Sequence, residues 1–158
     1  MNLKGISYYL SMFTAPFAVL AFLNILFSSY FDYFLNIDSY VISVFVSLTL
    51  SFLFFLFGNK SNKMINFQEQ LVLIILIYFF SSIIISIPFY FSNYHLTFIN
   101  SIFEAFSGIT GTGFTVFKNI KYLDPTLILW RAVSQWIGGL YFLIFLILFF
   151  SNSVFNYK

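Results

Sequence analysis

The chain has 158 residues, of which 61% are hydrophobic and only 8% charged, with a net charge of +2. A soluble domain carries about 25% charged residues, so this chain cannot cover a globular surface with polar groups and reads as a membrane protein. The small, scattered charge does not suggest nucleic-acid binding. The absence of cysteine excludes disulfides, thiolate metal sites and cysteine nucleophiles, and a single histidine, His95, excludes a multi-histidine metal site.

The first apolar run, Tyr8 to Phe31, is long enough to cross a hydrocarbon core of about 30 Å. Lys4 precedes it, and no small-residue cleavage site follows, so it reads as a retained helix rather than a secretory signal. Pro16 is a point for a kink, and Asn24 lies mid-span as packing glue. A short acidic loop, Asp32 to Ser39, leads to a second run, Tyr40 to Phe57. Ser43 and Ser47 are four apart on one face of it. They either pack on a neighbouring helix or bond back to their own backbone.

The loop from Gly58 to Gln70 carries Lys60 and Lys63 against Glu69. The third run, Leu71 to about Phe91, has Pro88 near its end, where it kinks or finishes the helix. Asn93, Tyr94 and His95 then form an interfacial turn. Leu96 to Phe117 holds a helix of about ten residues, too short to span, with Phe98, Ile99, Ile102, Phe103 and Phe106 at helical spacing. Gly108 is expected to stop this helix through a left-handed turn. Beyond it, Gly111 and Gly113 are spaced by two. Aiming successive carbonyls at one bare cation requires alternate residues with left-handed or similar dihedrals, which glycine adopts without steric cost. The competing reading of this stretch alone is an ordinary glycine turn in a surface loop.

Lys118 and Lys121 follow, then Asp124-Pro125, a helix start with Asp as N-cap and Pro in the first turn. The last run is Thr126 to Ser151. Within it Arg131 and Gln135 share a face. An intramembrane arginine needs a partner or a wet cavity; Arg131 either pairs with Glu104 on the short helix or reaches the outer headgroups. Gly138-Gly139 admits close approach of another backbone. With a cytoplasmic N-terminus, Lys4, Lys60, Lys63 and Lys158 lie inside, Asp32 and Asp38 outside, in accord with the positive-inside rule. Lys118 and Lys121 then lie outside. The expected fold is therefore all-α: four transmembrane helices, with a re-entrant pore helix and filter loop between the third and fourth.

Two motifs in order carry a resemblance. Phe103-Glu104-Ala105-Phe106-Ser107-Gly108-Ile109-Thr110-Gly111-Thr112-Gly113 resembles the first filter motif of the TrkH/TrkG/KtrB family of potassium transporters, and Trp130-Arg131-Ala132-Val133-Ser134-Gln135-Trp136-Ile137-Gly138-Gly139 resembles the start of the helix that follows it. The similarity covers Leu71 to Phe150 well, and more loosely the hairpin Tyr8 to Phe57, which is similar to the extra N-terminal pair of TrkH-type members.

This resemblance implies a helix pair with its loop over 1–66 and a helix–pore loop–helix unit over 67–158. It implies potassium uptake across the cytoplasmic (inner) membrane, with both termini cytoplasmic. It assigns the filter to backbone carbonyls of Thr110, Gly111, Thr112 and Gly113, supported by Glu104, Arg131 and Gly139. Gly111 replaces the usual middle threonine, and Phe114 stands where small residues are common. Potassium is the transported ion and no other cofactor is expected. The implied partners are membrane lipid, further pore units from another chain or from self-association, and a cytoplasmic nucleotide-binding regulatory subunit. The chain itself has no phosphate-binding glycine loop. Family members carry four such units, whereas one is read here, so the resemblance implies a truncated transporter or one piece of a larger assembly; the alternatives are a non-conducting structural or assembly subunit or an inactive remnant. An enzyme is not expected: Glu104, Arg131 and His95 lack the spacing of a nucleophile–base pair or a metal site.

Overall fold

The structure is a computed structural model that describes residues 1–60 and 64–155, with side chains described through residue 148. The described residues form five α-helices, α1 (Leu3–Tyr30), α2 (Ile37–Gly58), α3 (Phe67–Phe91), the short α4 (Phe98–Ile109) and α5 (Pro125–Phe155), with short 3-10 turns at Phe34–Asn36 and Ile120–Tyr122. Four of them, all but α4, are long and apolar enough to cross a membrane. Lys63 and Lys158, used above for the charge bias, lie outside the described residues.

Local capping explains where the helices begin. The α1 helix starts at Leu3 rather than near Tyr8 because the Asn2 side chain accepts the Gly5 amide at 2.9 Å. The α3 helix starts at Phe67 rather than Leu71: the Glu69 carboxylate reaches back to the Asn66 amide at 2.8 Å, as in a capping box. Glu69 also accepts the Asn2 amide, which ties the start of α1 to the start of α3. Pro16 and Pro88 both lie inside their helices. Ser43 and Ser47 are buried and also bond back, to the carbonyls of Ser39 (2.9 Å) and Val44 (3.0 Å); the two readings of this face hold together.

α1 and α2 form a tight antiparallel hairpin. Ser7 donates to the Phe54 carbonyl at 2.8 Å and Ser51 to the Ser11 carbonyl at 2.9 Å. The common core lies between the hairpin, α3 and α5, around Phe17, Tyr40, Ile77, Ile85, Phe89 and Trp130. The Trp130 indole donates to the Ile85 carbonyl at 3.1 Å, so its one polar atom is satisfied in an apolar interior. The outward faces are apolar too, with Phe45, Phe52, Leu53, Ile75 and Leu143 exposed. That is the surface a helix bundle presents to lipid rather than water.

The route of the chain around α4 positions the site. Tyr94 precedes α4 and Asp124 follows the loop after it, yet the Tyr94 hydroxyl accepts the Asp124 amide at 2.7 Å and donates to the Tyr122 carbonyl at 3.3 Å. Between these adjoining ends the chain runs down along α5 and comes back. Its turning region reaches Gly138, about 20 Å along α5 from Pro125 at 1.5 Å per residue. There a side-chain carbon on Gly138 would sit 1.8 Å from the Ile109 carbonyl oxygen.

One expectation is corrected here. Gly108 does not stop α4 by a left-handed turn: it is helical, the helix runs to Ile109, and Gly108 is small because Ser134 of α5 packs against it. Gly139 is exposed, with open space where a side chain would stand, because one residue along a helix rotates the face by about 100°. The close approach belongs to Gly138. Gly138→Ala is therefore expected to lower stability by about 1–3 kcal/mol through overpacking against backbone, while Gly139→Ala leaves it unchanged. Denaturant titration of both variants in detergent checks this.

Candidate functional site: a clamped loop after a short helix

The loop that follows α4 has no regular secondary structure from Gly113 to Phe117 apart from isolated bends. Its conformation begins with the helix end. Thr110 caps α4, its amide and its hydroxyl both donating to the Phe106 carbonyl, at 3.0 and 2.6 Å. The Gly111 amide donates to the Gly108 carbonyl at 3.0 Å. Gly111 and Gly113 then adopt φ of 71° and 77°, values that cost an L residue strain and glycine none. The alternation expected from the glycine spacing is thus present. Ser107, in the last turn of α4, holds the loop from beneath: its hydroxyl donates to the Phe114 carbonyl at 2.5 Å and receives the Thr112 hydroxyl at 3.2 Å.

Behind the loop lies a buried ion pair. Glu104 of α4 is 0% exposed and Arg131 of α5 is 6% exposed, and their Oε2 and Nη1 atoms are 2.5 Å apart. Arg131 pairs with Glu104 rather than reaching outward. Both groups also hold the loop backbone. The other Glu104 oxygen accepts the Thr115 hydroxyl and the Val116 amide, each at 2.5 Å. The other end of the guanidinium donates to the carbonyls of Gly113 (2.9 Å) and Phe114 (3.0 Å). Its planar fork suits this division of labour, which a lysine's single ammonium does not reproduce. Each charge thereby offsets the other's desolvation, and the remaining donors and acceptors go to loop groups that no ladder satisfies.

The arrangement distinguishes the four expected ion-facing carbonyls. That of Gly113 is turned to Arg131. No described hydrogen bond ends on the carbonyls of Thr110, Gly111 or Thr112, and these three residues are exposed. The loop so has a bonded back and an open front. Phe114 is 71% exposed at its edge. His95 is exposed in the turn before α4, at φ 51°, away from the pair. Among the described residues no group of three or more His, Asp or Glu side chains stands ready for a metal ion.

Sequence reasoning did not single out Ser107, Thr115 or the Val116 amide. The signal for Ser107 is its place one turn after Glu104, on the face that the returning loop must cross; the Val116 amide leaves no trace in residue type. Asp124 does cap α5, accepting the Thr126 amide at 3.0 Å. Its second oxygen, bonded by Asn36 at 2.6 Å, was not anticipated.

Residues 36–158 match the family model of TrkH, described as a cation transport protein. The chain is 31% identical over 106 residues to the Trk system potassium uptake protein TrkG of Escherichia coli, covering 62% of this chain and 22% of that one. It is 30% identical over 91 residues to an uncharacterized cation transporter of Methanocaldococcus jannaschii, 58% of this chain and 19% of that one. To the Trk system potassium uptake protein TrkI of Halomonas elongata it is 40% identical over 55 residues, 35% and 11% of the two chains. The match to the first two relatives thus spans about a fifth of their length.

The ion pair yields a direct expectation. Glu104→Gln leaves a buried, uncompensated guanidinium and is expected to cost about 3–5 kcal/mol of stability. The same change at Glu69, which is placed at the start of α3, is expected to cost about 1 kcal/mol, on the scale of a cap. Equilibrium unfolding in mixed micelles measures both.

Proposed function

We propose, from the premise that this chain belongs to the TrkH cation transport protein family, that it supplies one pore-lining unit and its flanking helix pair to a potassium-uptake transporter. Family membership supports a membrane transporter component rather than an enzyme, and its relatives in Escherichia coli and Halomonas elongata are named potassium uptake proteins. In this reading α4 is a re-entrant pore helix, residues 1–66 form the accessory pair with its loop, and 67–158 form the helix–loop–helix unit.

The observation that carries the proposal is the two-sided loop: left-handed Gly111 and Gly113, a back fastened to Glu104 and Arg131, and a front with the unbonded carbonyls of Thr110, Gly111 and Thr112. Such carbonyls replace part of a bare cation's hydration shell. The α4 C-terminus adds a negative dipole end nearby. The Gly113 carbonyl also fixes the loop to Arg131. One loop offers roughly a quarter of the oxygens that potassium needs, so three further units complete the pore, from other chain segments or from copies of this chain.

Orientation follows from charge. Asp32 in the α1–α2 turn and Asp38 in the first turn of α2 lie at one end of the hairpin, whereas Lys4 and Lys60 flank the opposite end. The positive-inside rule then puts both termini in the cytoplasm and the entry of α4 outside. The expected cytoplasmic partner is a nucleotide-binding regulatory subunit. Lipid surrounds the outward faces.

The alternative, a non-conducting assembly subunit, draws on the same fact that only one such loop is present. Rubidium uptake into liposomes holding the assembled transporter separates the two. Uptake in the parent, lost in Gly113→Ser with assembly intact, is the expected result; an L side chain at that φ costs about 1–3 kcal/mol. Unchanged uptake and ion preference in Gly113→Ser would assign this chain a structural role only.

A further inference from the structure

The hairpin α1–α2 stands apart from the loop, yet it is bonded to the part of α5 that carries the clamp. At the α1–α2 turn, the buried Asn36 amide donates to Asp124 Oδ2 at 2.6 Å. From within α1, Asn24 donates to the Thr126 carbonyl at 3.2 Å. From the first turns of α2, the Tyr40 hydroxyl donates to Thr126 Oγ1 at 3.1 Å, and its ring lies 5.8 Å from that of Trp130. Asn24, Asn36, Tyr40 and Thr126 are at most 3% exposed, and Asp124 is buried as well.

These contacts fall on one stretch of helix. Asp124 caps α5, Thr126 lies in its first turn, and Arg131 is seven residues, or about two turns, beyond Asp124 on nearly the same face. The helix between is stiff, and Trp130, next to Arg131, is held on one side by Tyr40 and on the other by the Ile85 carbonyl of α3. A rotation or axial slip of the first turns of α5 carries the guanidinium with it. Its two bonds to the Gly113 and Phe114 carbonyls, at 2.9 and 3.0 Å, have little slack before they fail.

We propose that Asn36, with Asn24 and Tyr40, is a positioning residue: the hairpin sets the rotation and height of the start of α5, and thereby holds Arg131 against the loop backbone. The accessory pair is then a brace for the loop rather than a lipid-facing appendage. That the braced loop is an ion filter rests on the reading above; the mechanical coupling does not.

The test reads the loop without reading ion flux. The chain contains no cysteine, so Phe114→Cys, at an exposed side chain, gives a single site for a nitroxide. Its spectrum is expected to be that of a slow, ordered label. Asn36→Asp sets two carboxylates against each other and is expected to shift the spectrum toward fast motion. Asn36→Asp combined with Asp124→Asn restores the amide–carboxylate bond with its partners exchanged and keeps a good N-cap, and is expected to restore the slow spectrum. Ser7→Ala, which removes the hairpin's bond to the Phe54 carbonyl near the other end, is expected to leave the spectrum unchanged.

An unchanged spectrum in Asn36→Asp, or a double variant that stays mobile, overturns the proposal. Equal mobility in Ser7→Ala overturns it too, since the hairpin would then act only through general stability. A chain that passes this test yet passes no rubidium when assembled would retain the brace and lose the transport reading.

Discussion

The buried pair of Glu104 and Arg131 is the constraint on which the loop depends. An irregular backbone that packs against buried helices has amides and carbonyls that no helix or strand ladder satisfies. Here the two charges serve as that missing partner. The carboxylate takes the Thr115 hydroxyl and the Val116 amide, and the guanidinium gives to the Gly113 and Phe114 carbonyls. Neither charge would be tolerable alone in so enclosed a place. Because they come from different helices, the loop keeps its form only while α4 and α5 keep their register.

That register is set by small residues and by caps. Gly138 lets the end of α4 reach the backbone of α5, and Gly108 makes room for Ser134. At the other end of the unit, Asp124 joins the cap of α5 to Tyr94 and to Asn36. The loop is thus suspended between a deep contact at Ile109 and a shallow one at Tyr94, with the ion pair between them. Its front stays open, with Thr110, Gly111 and Thr112 exposed. One fold therefore supplies both a rigid back, which holds dihedrals that only glycine accepts, and a free row of oxygens.

Much of this was legible in the residues. Apolar runs long enough to cross a membrane marked the four long helices, since backbone satisfaction in lipid leaves few alternatives. The glycine spacing at 111 and 113 pointed to left-handed backbone, and Asp124-Pro125 to a helix start. Helix starts were placed several residues late at α1 and α3, because Asn2 and the Asn66–Glu69 pair extend them through polar residues that hydropathy discounts. Gly138 and Gly139 could not be told apart by type: which one faces α4 depends on helix rotation, and that is decided by tertiary packing. For Arg131 the choice between partner and headgroup turned on the depth to which α4 descends. The bond from Arg131 to the Gly113 carbonyl left no mark in the sequence, as is usual for backbone acceptors. The bond from Asn36 to Asp124 spans 88 positions, and nothing local in either residue announces it.

The clamp is tested most directly by amide hydrogen exchange at Val116 in the full chain, reconstituted in lipid nanodiscs. An irregular loop amide open to water exchanges within seconds or faster, whereas one donated to a buried carboxylate opens only with the surrounding structure. The account predicts exchange at Val116 as slow as in the neighbouring turns of α4. Exchange at the rate of an unprotected loop would contradict it, since Glu104 would then not be holding the loop to the helix behind it.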